Sequence, residues 1–165
     1  MLPRPMYATL LLLAGFACAW SAAAADYLAP TSERQKARAY SPAVVTEGGR
    51  TVWLAGQTAL RDDTGRDLSG NFEAQARQVF RALDATLKRA GGSLGNMVTM
   101  TVFINDVRNG DKLVEIRKEM FPEGSYPASA LITVSGFAQP GMLIEVQGVA
   151  VIGDRCTKDA PCAPR

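Results

Sequence analysis

Twice in this chain the hydrophobic period switches from that of a helix to that of a strand, and few folds of this size accommodate the switch. Phe72, Ala76, Val79, Phe80, Leu83, Leu87 and Ala90 recur at spacings of three and four, so one apolar stripe runs along a helix over residues 71–90. Asn71 suits the N-cap, Glu73 sits where the helix dipole favours an anion, and Gly91-Gly92 ends the helix. From Met97 to Asn105 the period drops to two. Val98, Met100, Val102 and Ile104 fall on one face, and Thr99, Thr101 and Phe103 on the other. A second helix is predicted from about Asn109 or Asp111 to Phe121, with Leu113, Ile116 and Met120 inward and Pro122 as its stop. Strands of about Ala130–Ser135 and Leu143–Ile152 follow, joined by a loop containing Gly136, Pro140 and Gly141. Upstream, Tyr40–Thr46 and Thr51–Gln57 are β-rich, and Glu47-Gly48-Gly49-Arg50 between them reads as a hairpin turn whose glycines supply positive φ. The order ββαβαββ predicts an α/β (α+β) fold: a single mixed sheet with both helices packed on one face. Several strands carry apolar residues on their other face too. Burial against another copy of the chain is the simplest cover, which makes a homo-oligomer the expected state.

The N-terminus reads as a signal peptide over residues 1–25. Arg4 gives a positive start, Tyr7–Trp20 is free of charge, and Ser21-Ala22-Ala23-Ala24-Ala25 supplies the small residues a signal peptidase reads. A membrane anchor would need an apolar run of roughly 20 residues, longer than this one. A lipid on Cys18 would need a different context from Gly15-Phe16-Ala17. Cleavage before Asp26 predicts a periplasmic or secreted protein with no membrane partner once the leader is removed. Residues 26–37 lack periodicity and read as a flexible lead-in, 38–153 as the domain, and 154–165 as a C-terminal tail. Cys156 and Cys162, the pair that remains, favour a local disulfide in an oxidising compartment. Without histidine partners they make a poor metal site.

Composition narrows the chemistry. The chain holds no histidine, which removes Ser-His-Asp and Cys-His nucleophilic sites and histidine-based zinc, copper or iron centres. A formal net charge of +2 with no run of Lys or Arg argues against a nucleic-acid partner. Among the remaining residues Glu145 is the most informative, a carboxylate inside the apolar strand Leu143–Val151 on the face of Leu143, Gln147 and Val149. It fits either a polar, wet or interfacial face, or a partly buried carboxylate with a raised pKa that activates water or shuttles a proton. Tyr40 can wall a pocket or anchor the first strand. Ala55-Gly56-Gln57 places a glycine where a ligand or another backbone can come close. Ser129 has no evident base beside it and reads as a polar strand start, and Arg77, Arg81, Lys88 and Arg89 read as a solvated helix face.

Four segments in order resemble the YjgF/Rid family of reactive-intermediate deaminases. Val52-Trp53-Leu54-Ala55-Gly56-Gln57 is similar to its SGQ strand, and Phe72–Gln78 to the start of its first long helix. Thr99–Val107 is similar to its TTVFVKDL strand, and Phe121-Pro122, Tyr126-Pro127-Ala128 and Ile144–Ala150 to FPAR and IEIEAIA. The resemblance spans roughly Tyr40 to Ile152. It implies a chorismate-mutase-like fold assembled as a homotrimer, with ligand pockets between subunits and no cofactor. In the deaminase branch an arginine after Pro-Ala holds the carboxylate of a 2-imino acid, and a glutamate on the last strand positions the water that releases a 2-keto acid and ammonia. Glu145 matches that glutamate, Gly56 the pocket glycine, and Tyr40 the pocket aromatic. Ala55 falls beside the pocket glycine, and Leu131 stands where the family often has a cysteine. The arginine position holds Ser129. A hydroxyl in place of a bidentate guanidinium forfeits about 2–5 kcal/mol of carboxylate binding if that group stays buried. Three functions follow as expectations. They are a divergent hydrolase of small imines or enamines using Glu145, a non-catalytic trimer binding a small metabolite in the periplasm, and a structural trimer with Leu131 filling the pocket.

Overall fold

The computed structural model describes residues 25–156 and 160–162, so the expected leader lies outside the described residues except for Ala25. The apolar stripe forms helix α2 over Phe72–Arg89, with Phe72, Ala76, Val79, Phe80, Leu83 and Leu87 buried. The Asn71 side chain caps it by accepting from the Ala74 amide, one of the four N-terminal donors that lack an intrahelical partner. The period-two run forms β4 (Met97–Ile104), on which Met100, Val102 and Ile104 are buried. Helix α3 follows at Gly110–Met120, then β5 (Ala128–Thr133) and β6 (Ile144–Ile152). With β3 (Arg50–Gln57) these strands make one mixed sheet in the order β3-β6-β4-β5, with β4 and β5 parallel and the other pairs antiparallel.

Register assigns the faces. Met100, Val102 and Ile104 stand opposite Gly148, Val146 and Ile144 and look into the core under α2 and α3. Each large aliphatic side chain buried there contributes roughly 1.5–3 kcal/mol. Phe80 of α2 meets Phe121 just past α3 edge-to-face, ring centroids 5.7 Å apart. Thr99, Thr101 and Phe103 stand opposite Val149, Gln147 and Glu145 on the other face, which no element covers among the described residues. Trp53 and Ile132 share that face and are 80% and 44% exposed. Leu143, expected beside Glu145, packs against the core instead, where its amide donates to the buried Gln75 Oε1 at 2.9 Å. Gln75 Nε2 donates to the Leu68 and Gly141 carbonyls, so one side chain of α2 fixes the loop that delivers β6.

Two expectations fail upstream. Residues 26–37 are not an unstructured lead-in: Asp26–Tyr27 form β1 and Glu33–Ala37 form α1, whose Ser32 and Gln35 make a capping box. Their short length hides them from a periodicity argument. The hairpin also fails. Gly48 and Gly49 do adopt positive φ, but the strand before them, β2 (Val44–Val45), pairs with β1 in a separate two-stranded ribbon. β3 pairs with β6 instead. A glycine turn sets a local direction, and the partner is chosen by the apolar surface on offer; the nine residues of β6 offer far more than two. In the tail, Cys156 and Cys162 form the expected disulfide, S–S 2.02 Å.

Candidate functional site

The residues singled out in the sequence fall into two groups on opposite faces of the sheet. The first is on the uncovered face. Pairing between β3 and β6 slips between Leu54 and Gln57, and the slip places Ala55 and Gly56 at a bulge beside Glu145. A Cβ built on Gly56 would lie 1.9 Å from Glu145 Oε1 and 2.8 Å from its carboxyl carbon. Only a glycine leaves room for the carboxylate to lie across the strand. Glu145 is half-buried and makes no hydrogen bond to the described residues, so its oxygens remain available to a ligand or a water.

The second group lines a cavity of about 280 Å³ between α1, α3 and β5, on the helix side of the sheet. Tyr40, Ser129 and Leu131 meet there with Arg34, Arg38, Val114 and Arg117. Ser129 and Leu131 lie opposite Met100 and Val102, so they point toward α3. Leu131 also packs against the core and leaves the cavity open rather than filling it. The Ser129 hydroxyl is buried with no hydrogen-bond partner among the described residues. Glu145 and Ser129 therefore face opposite sides of the sheet, and their strands, β6 and β5, are two strand spacings apart, roughly 10 Å. One protomer does not bring the two groups together.

Arg117 was missed by the sequence reading, although it falls four residues after Leu113 on the apolar stripe of α3. It is 3% exposed. Its Nη1 donates to the carbonyls of Arg38 (3.3 Å) and Ala39 (3.4 Å), while its Nε is buried without a partner among the described residues. Ala39 supplies its carbonyl from a left-handed conformation, φ 50°, in which an alanine is strained. That turn ends α1 and aims the chain toward Tyr40. Burial, and then the neighbouring Arg38 charge, push the Arg117 guanidinium down to about 10. Arg38 is half-buried and pairs with Asp111 at 2.5 Å, and no acidic residue lines the cavity. A buried guanidinium without a carboxylate is costly in a fold, and an anion supplied from outside would offset the cost.

Other clusters lack this character. A larger hollow of about 500 Å³ lies by the start of α2, but its charges are already paired, Lys112 with Glu73 and Asp106 with Arg108. Glu47, Cys156 and Cys162 bring ligand-type atoms within 4.8 Å of one another, yet both sulfurs are spent in the disulfide. On α2, Arg77 and Lys88 pair with Glu119 and Asp84, as a solvated face would.

The family model described as endoribonuclease L-PSP matches residues 31–152, nearly all of the described domain. The chain belongs to the YjgF/Rid family. Human 2-iminobutanoate/2-iminopropanoate deaminase is similar at 31% identity over 118 residues, which is 72% of this chain and 83% of that one. A RutC family protein of Pyrococcus horikoshii is 33% identical over 111 residues, 67% of this chain and 85% of the relative. Among solved structures, RidA from an Antarctic Psychrobacter is 31% identical with a TM-score of 0.57, covering 77% of this chain and 94% of its own. A Rid-family protein from Yersinia pestis reaches a TM-score of 0.67 at 23% identity, over 77% of this chain and 97% of its own, and supports the fold. The Rid fold expected from the sequence is thus the one observed.

Proposed function

We propose that this Rid-family chain is an exported hydrolase of small imines or enamines, releasing a carbonyl compound and ammonia in a pocket shared between subunits of a homotrimer. The observation that carries the reading is the Glu145 carboxylate lying over Gly56, half-buried and free of competing partners. In that position it takes a proton from a water as the water oxygen attacks the C=N carbon. It returns that proton to the imine nitrogen to give a carbinolamine. It then carries the remaining hydroxyl proton to the amine nitrogen, so that the C–N bond breaks, ammonia leaves and the C=O bond forms. Relatives about 30% identical that are named for deaminating 2-iminobutanoate and 2-iminopropanoate support this reaction class. The placement of the two half-sites on opposite faces of the sheet supports a shared pocket, because a neighbouring subunit can set one protomer's cavity against another's Glu145. Export rests on the leader sequence and the pair Cys156–Cys162. No cofactor is required by the chemistry, since the substrate carries its own electrophile. The ribonuclease of the family description finds little support in a chain of net charge +2.

The test is to generate 2-iminopropanoate in situ with an amino-acid oxidase and follow its loss against semicarbazide trapping. The protein should accelerate the loss, and Glu145→Gln should lower that acceleration at least about a hundredfold. Wild-type protein that leaves the trapping rate unaltered would return the chain to the metabolite-binding alternative.

A further inference from the structure

We infer that Arg117 replaces the arginine missing at position 129, making the cavity beneath α3 a binding site for the carboxylate of a small organic acid. The inference rests on the reading of this family's pocket given above, and concerns which group holds the substrate rather than which group performs the reaction.

Four observations converge. The cavity is lined by three arginines and no acid. Arg117 is almost wholly buried, yet no carboxylate of the described residues pairs with it. Its Nη1 is occupied by the backbone of Arg38 and Ala39, which fixes the plane of the guanidinium and leaves the Nε edge unpartnered. That edge can present two parallel N–H donors to one carboxylate, the bidentate contact a lysine or serine cannot make. The fourth is the Ser129 hydroxyl on β5, buried and unpartnered across the same cavity, where it can donate to an oxygen of the bound carboxylate. The family's arginine would project from β5 at position 129; here the strand carries a short hydroxyl and the guanidinium arrives from the facing helix. A carboxylate-bearing imine is therefore compatible with Ser129.

The test compares 2-oxobutanoate with its uncharged amide on the purified protein at constant ionic strength. The acid should bind at least about tenfold more tightly than the amide, and the Arg117 Nε–H resonance should shift with the acid and not with the amide. Arg117→Met should bring the acid down to the affinity of the amide, and Arg117→Lys should recover part of the difference. The inference is overturned if acid and amide bind equally, if neither binds, if sulfate at equal concentration gives the same shift, or if folded Arg117→Met binds the acid as wild type does. The Nε–H signal is read on the wild-type chain, so the result stands even where Arg117→Met fails to fold. The two proposals fail separately. Acid bound through Arg117 with no imine turnover supports this site and removes the hydrolase reading, whereas turnover unaltered in Arg117→Met removes this site and leaves the hydrolase.

Discussion

At the scale of single residues, no described glycine is approached more closely on its Cβ side than Gly56 is by Glu145. A methyl group on Gly56 would sit 1.9 Å from Glu145 Oε1, well inside van der Waals contact. The neighbour is a side-chain terminus on an open face, so it can swing away at little cost to the fold. Gly56→Ala should therefore keep thermal stability within about 1 kcal/mol of wild type while moving the carboxylate off its station. Imine hydrolysis in that variant should fall with kcat rather than KM, and wild-type kcat in a folded Gly56→Ala would detach Glu145 from the reaction. Both members of this pair were legible in the sequence, because a glycine in a strand and a carboxylate in an apolar run each break a pattern. Arg117 breaks one too, standing at a stripe position of α3, but a long cation there reads equally as a side chain reaching to water. What distinguishes it is burial under α1, and α1 itself left no periodic trace.

Among the elements, the small ones before the sheet show what hydrophobic periodicity cannot report. Two residues of β1 and five of α1 are too short for a period to emerge, yet they are fixed by particular contacts. Tyr27 donates its hydroxyl to the carbonyls of Gly95 (3.2 Å) and Met97 (2.9 Å), pinning β1 to the turn that enters β4. Burial, helped by the charge of Asp154, pushes its phenol up to about 12. The fold thus holds this proton more tightly than the unfolded chain does. Its stabilising effect is complete below the ordinary tyrosine value near pH 10 and is lost as pH climbs toward 12. The loss should be on the order of 2 kcal/mol, read by urea denaturation at pH 9 and at successive steps upward. Tyr27→Phe should be less stable at pH 9 and flatten the alkaline slope; an unchanged slope would mean that β1 is not held by this phenol. The long elements were readable because α2, β4, α3 and β6 each bury a periodic face. Strand pairing was less so, since β3 chose β6 over its sequence neighbour by apolar area.

For the whole molecule, the uncovered sheet face decides the state of assembly. It carries two apolar pairs, Trp53 with Val149 and Phe103 with Ile132, separated by Thr101 and Gln147, and nothing in one protomer covers them among the described residues. The proposed trimer would bury both pairs. Trp53 reports on this directly. The chain has two tryptophans, Trp20 and Trp53, and removal of the expected leader takes Trp20 with it. Protein beginning at Asp26 should sediment at three times the protomer mass and show the blue-shifted emission of a buried indole. Trp53→Arg should shift the sedimentation to the single-protomer mass, since an unpaired charge at the centre of an interface costs several kcal/mol per contact. Imine turnover should disappear in the same variant while Glu145 and Arg117 keep their places in each protomer, as the proposed shared pocket requires. A monomeric Trp53→Arg with full turnover would place the whole reaction within one subunit, and a wild-type protein with solvent-type Trp53 emission would leave the open face without a partner.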